Sequence, residues 1–340
     1  MQGNAVYRHH NTAVLSVAAA EAPEVVTSEY FDEVLADTYE RVGIRPGLLA
    51  EVAGIRERRW WPKDVSFTDA ASLAGAAAIA ESGVDASQIG LLIDTSVCRS
   101  HLEPSAAVAV HHSLGLSSAC LNFDLANACL GFVNGMQLAA TMIDAGQIDY
   151  ALVVDGEGSR RPQEATLERL SSPQTTMADV FEQFATLTLG SGGAAMVLGR
   201  ADEHPEGHRI VGGVARADTQ HHSLCIGDLD YMRTDTKALL EAGLDVAEAT
   251  WNEARSDFDW SAMDAYVAHQ VSMVHATLLF KRLGIDPERA LLTFPTLGNI
   301  GPASLPYTLA LTAPSLSAGD RVLCIGIGSG INTAGIEITW

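Results

Sequence analysis

The sequence predicts an α/β protein of layered sheets, and three observations lead there. Short, nearly continuous apolar runs recur: IGLLIDTS (89–96), LNFDLA (121–126), YALVVDGE (150–157), GAAMVLGR (193–200), AYVAHQ (265–270) and RVLCIGIG (321–328). Such runs are what strands covered on both faces look like. Between them lie Ala-rich helical stretches. The clearest has apolar residues at 132, 133, 136, 139, 140 and 143, one face of a helix expected from about Leu130 to just before Gly146. Strands alternating with helices imply sheets with helices packed against them. No short-period repeat or low-complexity segment is visible, so a duplicated architecture is suggested by strand order alone. A linker-like stretch from Gly199 to Gly213 separates an expected N-terminal half, 1–200, from a C-terminal half, 201–340.

Composition narrows the function classes. Hydrophobic residues make up 47% of the 340 and charged ones 19%, enough for a large core and too little charge for a disordered chain. Lys and Arg number 21 against 42 Asp and Glu, a net charge of -21. That balance opposes nucleic acid and anionic lipid as partners unless a local basic patch intervenes. The nearest such patch is Arg56, Arg58 and Arg59 in GIRERRWW, read either as a solvated turn or as a landing site for phosphates at a tunnel mouth. Five scattered cysteines, none in CxxC spacing, argue against a disulfide framework or a zinc site and for a reducing cytoplasm. No signal-peptide pattern follows Met1, and no run approaches the roughly 18 apolar residues of a membrane span. The expectation is a soluble cytoplasmic protein.

The residues that could do chemistry sit at element ends. Asn127-Ala128-Cys129-Leu130-Gly131 joins a strand to the amphipathic helix. A thiol at a helix N-terminus meets the positive end of the dipole, which favours thiolate; the bland alternative is a small buried hydrophobe. The apolar face of that helix either lines a tunnel or is simply core. His269 ends the run AYVAHQ ahead of a helical pattern, placed for a cleft or equally for the core. His269 and His275 are six apart, not the i and i+4 of a helical metal pair, and no metal motif is present. Asn299 lies in LGNIGPAS, where flanking glycines also suit an ordinary turn. Gly326-Ile327-Gly328-Ser329-Gly330 follows a strand and allows close approach to a substrate, but is no phosphate-binding fingerprint.

Assembled, these stretches resemble the thiolase superfamily, and its ketoacyl-synthase III branch in particular. The order Cys129, His269, Asn299 matches the Cys–His–Asn triad of that branch. HQVS and GNIGPAS stand at its His and Asn motifs, GIGSG at its C-terminal glycine-rich loop, and GIRERRW near the start fits as well. Within the branch, DTSVCRSHLEPS, NACLGFVNGM, YALVVDGEG and LTLGSGGAAMV are similar to OleA-type enzymes, which condense two fatty acyl-CoA molecules head to head in olefin and β-lactone pathways. The resemblance implies an αβαβα thiolase-like fold of two pseudo-duplicated halves and long acyl tunnels. It implies a homodimer or paired heterodimer, with downstream pathway enzymes as further partners. CoA thioesters would be substrates, with no separate cofactor, and Arg56 and Arg58 would be the candidates for the CoA phosphates.

Glu103, in Leu102-Glu103-Pro104-Ser105, selects the subgroup. The bland reading is a carboxylate at a helix start, with Pro104 at the first helical position. Chemistry offers another role. Ketosynthases that decarboxylate a malonyl unit need no strong base, whereas joining two plain acyl thioesters requires removing a proton from an unactivated α-carbon. A carboxylate raised in pKa by a dry site can do this. In OleA-type enzymes the matching Glu reaches into the neighbouring subunit. The resemblance then implies acylation of Cys129, an oxyanion hole from the backbone N–H groups of Cys129 and Ser329, and His269 with Asn299 on the enolate carbonyl. One departure stands out: no Trp precedes the GIRER motif to clamp the CoA adenine, so CoA contacts differ and a carrier-protein donor stays open. The alternatives are a decarboxylating synthase with a malonyl donor, a partner subunit donating Glu103, and a Cys–His–Asn hydrolase, whose CGSCW-type signature is missing.

Overall fold

Tyr150–Glu157 and Gly192–Arg200 are apolar on both faces, and burial on both faces puts them inside the large sheet of the computed structural model, which describes residues 6–340. From one edge the sheet runs Leu121–Asp124, Ile89–Asp94, Tyr150–Glu157, Gly192–Arg200 and Thr12–Glu21. It continues through His208–Ala217, Asn332–Thr339, Arg321–Gly328 and Ala265–Ala268. One pairing pattern occurs twice. Ile89–Asp94 is parallel to Tyr150–Glu157, which is antiparallel to Gly192–Arg200, itself antiparallel to Thr12–Glu21. Ala265–Ala268 is likewise parallel to Arg321–Gly328, followed by antiparallel Asn332–Thr339 and His208–Ala217. The two sets join through a short register, Ala13 with Arg209 and Val14 with His208.

Alternation along each strand sorts side chains into layers. Ile93, Val153 and Met196 of the first set share a core with Val267, Cys324 and Ile336 of the second, and helices Gly131–Asp144 and Ser304–Thr312 fill the space between. The opposite faces bear Leu92, Leu152 and Val197 against helix Phe67–Ser82, and Leu323 and Ile325 against Thr236–Ala254 and Met273–Leu283. The order is therefore helix, sheet, helix, sheet, helix.

Two expectations need correction. The stretch 199–213 is no linker: strands end at Arg200 and resume at His208, leaving a short turn. Its glycines serve strand packing, since a Cβ on Gly213 would lie 1.9 Å from the Gly335 carbonyl oxygen. Leu121–Asp124 is not a strand covered on both faces but the sheet edge, with Leu121 54% exposed. Among the described residues no helix is long and apolar enough to cross a membrane.

Candidate active site

Cys129 stands on a strained corner. After Leu121–Asp124 the chain crosses beneath its neighbour, Leu125 N–H donating to the Asp94 carbonyl at 2.8 Å, and Ala128 takes a left-handed φ of 44°. A non-glycine residue there costs about 1–3 kcal/mol and persists only where its surroundings hold it. Asn127 supplies that hold: its Nδ2 donates to Asn134 Oδ1 at 2.7 Å and its Oδ1 accepts from Asn332 Nδ2 at 3.1 Å. The helix Gly131–Asp144 follows at once, with Phe132, Val133, Met136, Ala139, Ala140 and Ile143 all buried. This face is core and lines no tunnel. Gly131 is required, because a Cβ would meet the Thr95 carbonyl oxygen at 2.6 Å.

The other candidates come from separate elements. His269 follows strand Ala265–Ala268, its N–H donating to the Ile325 carbonyl at 2.9 Å. Asn299 is strapped to the segment 188–190: its N–H donates to Thr188 O, and Gly190 N–H donates to Asn299 O, both at 2.9 Å. Gly301 N–H donates to Asn299 Oδ1 at 3.0 Å, which leaves the Asn299 amide to act as a donor. The glycine-rich loop closes on the nucleophile corner, where a Cβ on Gly328 would lie 3.0 Å from Asn127 O and one on Gly326 2.8 Å from Leu130. Cys129, His269, Asn299 and Ser329 thus line one cavity of about 940 Å³. Its apolar walls include Phe181, Phe184, Leu240, Leu244, Leu279 and Phe280.

Burial governs the electrostatics. It pushes the Cys129 thiol up to about 12, with the Glu157 carboxyl adding to the rise. This reverses the expected shift, because the low polarizability of a closed cavity and nearby carboxyls oppose a thiolate more than a helix end favours it. Burial lowers His269 to about 4, with His275 contributing, so its imidazole is neutral at pH 7. Its Nδ1 has no hydrogen-bond partner within the described residues.

Glu103 and the arginines lie elsewhere. Glu103 is exposed and does not line the cavity of its own chain. Nor does it start a helix: the helix is Ala106–Ser113, and Asp124 caps it by accepting from Ala106 N–H at 3.0 Å and Ala107 N–H at 2.9 Å. Arg58 is fully buried, donating to Ser28 Oγ at 3.0 Å and Leu187 O at 2.8 Å, with its guanidinium 4.4 Å over the Phe31 ring. It cannot reach a phosphate. Arg56 is exposed but outside the cavity lining, which instead carries Arg99, Arg161 and Lys237.

Among the cavity residues that sequence reasoning gave no role, His275, Cys98 and Glu157 lie with the triad. His275 opens the helix Met273–Leu283, its Nδ1 2.9 Å from the N-cap Ser272 Oγ. The six-residue spacing from His269 was irrelevant, since a strand end and a helix start place both on one cavity. Cys98 and Glu157 also line it. A carboxylate ending an otherwise apolar strand was the available signal for Glu157. Burial raises Glu157 to about 7 and raises Asp155, two residues earlier, as well. A carboxyl raised in the fold stabilises it fully below the unfolded pKa and loses that stability as pH climbs to the folded value. Glu157→Gln is therefore expected to gain about 3 kcal/mol over wild type between pH 4 and pH 8, measured by urea unfolding.

Comparison with known proteins agrees with this architecture. The 3-oxoacyl-[acyl-carrier-protein] synthase III family model matches residues 123–163 and its C-terminal counterpart residues 254–340. An acyl-CoA:acyl-CoA alkyltransferase of Xanthomonas campestris is 44% identical, covering 97% of this chain and 99% of its own; one of Shewanella oneidensis is 34% identical over 98% and 100%. A β-ketoacyl-[acyl-carrier-protein] synthase III of Streptomyces coelicolor is 30% identical over 84% and 83%. A crystal structure of a histidine variant of Xanthomonas campestris OleA superposes with a TM-score of 0.96 at 43% identity, covering 98% of this chain and 99% of that one. Another, a cysteine-to-serine variant with bound lauric acid and lauroyl-CoA, superposes equally well. The layered fold is the thiolase-like fold of these enzymes, and the chain belongs to the acyl-CoA:acyl-CoA alkyltransferase family of synthase III-like condensing enzymes.

Proposed function

We propose that this chain joins two long-chain fatty acyl-CoA molecules head to head, by non-decarboxylative Claisen condensation through an acyl group on Cys129. The observation that carries the reading is the convergence of Cys129, His269 and Asn299, from three separate elements, on one largely apolar cavity. The chain-long likeness to acyl-CoA:acyl-CoA alkyltransferases supports it.

The thiol of Cys129 attacks the first acyl thioester, its proton passing to the sulfur of the departing CoA as the new carbon–sulfur bond forms and the old one breaks. Backbone N–H groups of Cys129 and Ser329 hold the oxyanion, each such donor typically contributing about 2.7–4 kcal/mol. Glu103 of a second copy takes the α-proton of the second acyl-CoA. His269, neutral at pH 7, and the donor side of Asn299 hydrogen-bond the enolate oxygen. The carbanion attacks the acyl-Cys129 carbonyl, expels the thiolate and gives a 2-alkyl-3-ketoacyl product, a β-keto acid once its thioester is hydrolysed, for olefin or β-lactone formation. No cofactor beyond the CoA thioesters is needed. Arg161 and Lys237 replace Arg56 and Arg58 as the cations for CoA phosphates, Arg161 exchanging its 2.7 Å pairing with Asp230.

Pairing of two copies along the edge strand Leu121–Asp124 would bring Glu103 to the partner cavity. Leu121, 54% exposed, and Leu102, 95% exposed beside Glu103, present apolar surface for it. The free cysteines fit a reducing cytoplasm.

The test is incubation of the pure protein with a long-chain acyl-CoA alone, following CoA release and extracted products. A β-keto acid, or the ketone it decays to, is expected without malonyl donor. Turnover only after a malonyl carrier is added would replace this reading with a decarboxylating synthase; free fatty acid as sole product would make the chain a hydrolase.

A further inference from the structure

A buried carboxyl shares the nucleophile's cavity and forms no ion pair among the described residues. Glu157 ends the strand Tyr150–Glu157, is 5% exposed and lines the cavity with Cys129. Its Oε1 accepts from Val97 N–H at 2.6 Å, and Trp61 Nε1 donates to its carbonyl at 3.1 Å. On its other side lies the turn holding Asn299: a Cβ on Gly301 would sit 3.3 Å from Glu157 Cδ. The carboxyl is therefore fixed between the loop that leads towards Glu103 and the turn that presents Asn299.

The titratable groups on the strands and loops packed against it are acidic or neutral; of the cations on the cavity wall, Arg99 and Arg161 pair with Asp124 and Asp230, and Lys237 stands on the helix Thr236–Ala254. Asp155 precedes it on the same strand, Asp94 and Cys98 come from the neighbouring strand and the loop beyond, and Cys129 from the nucleophile corner. Arg99, which faces Asp94, lies 3.5 Å from Asp124, and Glu157 forms no ion pair among the described residues. Thr95 Oγ1 satisfies one oxygen of Asp155 at 2.6 Å, while the other has no partner. Burial raises the Glu157 carboxyl and the Asp94 carboxyl adds to the rise, so Glu157 keeps its proton to about pH 7, while Asp155 is raised further and stays protonated beyond it.

We propose that Glu157 is a positioning residue that governs when Cys129 gives up its proton: protonated, it lets the thiol ionise and attack, and ionised, it holds the thiol closed by like-charge repulsion. Glu157 makes and breaks no bond; it acts through charge alone. The same neutrality suits the condensation step, where an ionised carboxylate in the cavity would also repel the developing enolate. The inference takes Cys129 as the nucleophile of the reaction above.

The experiment is alkylation of Cys129 by iodoacetamide across pH 5.5–9.5 in the substrate-free protein, read by peptide mass mapping so that Cys98 and Cys225 are counted separately. In wild type the logarithm of the rate should rise with pH at unit slope, drop to a slope of roughly 0.7 across the pH where Glu157 ionises near neutrality, then resume unit slope on a lower line. Glu157→Gln should give a straight line of unit slope, about threefold faster than wild type above the bend, after allowing for the lower nucleophilicity of a less basic thiolate. The same bend in both proteins, or in neither, overturns the proposal. Should Glu157→Gln not fold, Glu157→Leu, which keeps the buried bulk and removes the charge, decides: a straight line of unit slope upholds the proposal, and a bend at the wild-type pH overturns it. Alkylation needs no acyl-CoA, so a loss of condensation in the separate product assay would sink the reaction without touching this result.

Discussion

Cys129→Ala is expected to abolish CoA release from long-chain acyl-CoA, and all condensation with it. Removing the nucleophile of a covalent mechanism costs on the order of 10⁴-fold or more in turnover. No other cavity thiol is a substitute. The Cys98 sulfur is already paired with the Gly158 backbone at 3.5 Å, and the Cys225 sulfur accepts from Thr234 Oγ1 at 3.4 Å. Only Cys129 follows the left-handed corner at Ala128 immediately ahead of a helix. The check is intact-mass spectrometry after mixing with acyl-CoA. Wild type should gain one acyl group and the variant none, while its thermal unfolding stays near wild type because the change removes a single partly exposed sulfur. An acylated variant would assign the nucleophile elsewhere.

Glu103→Ala is expected to separate the two halves of the reaction. The side chain is exposed and outside the cavity of its own chain, so acylation of Cys129 should proceed at its wild-type rate. Condensation needs a base for an unactivated α-proton, and losing a positioned base typically costs about 10²–10⁴-fold. A burst of CoA release with little further product is therefore expected. The effect should also be rescued in trans: mixing Glu103→Ala with Cys129→Ala restores one intact site per mixed dimer if the carboxylate serves the partner's cavity. Normal turnover by Glu103→Ala would remove it from the chemistry. A loss that mixing does not rescue would place its action within one chain.

The two residues differ in how far local sequence could carry the argument. Cys129 was legible because strand, turn and helix are short-range features: apolar residues at 132, 133, 136, 139, 140 and 143 marked a helix whose start could be read to within a residue. Glu103 was legible only through family likeness. Local reasoning made it a helix cap, and a residue twenty-one positions later, Asp124, takes that role by reaching across from the edge strand. Arg58 failed for a similar reason. Three arginines in a row of charged residues look solvated, yet the strand Glu57–Trp60 alternates, and its inward face carries Arg58 into a pocket of carbonyls and the Phe31 ring.

By itself the sequence determined the α/β class and the buried strands Tyr150–Glu157 and Arg321–Gly328 to the residue, and resemblance singled out three residues that the fold places on one cavity. These depend on periodicity and order along the chain, which neighbouring residues impose. The strands Thr12–Glu21, rich in Ala, and Asn332–Thr339, broken by Gly335 and Glu337, gave no such signal and owe their conformation to the partners on either side. Only the tertiary structure decided which titratable groups share the cavity and in what state. Protonation depends on burial and on charges brought together from distant elements, so Cys129 rises, His269 falls and Glu157 moves to near neutrality for reasons no local pattern contains.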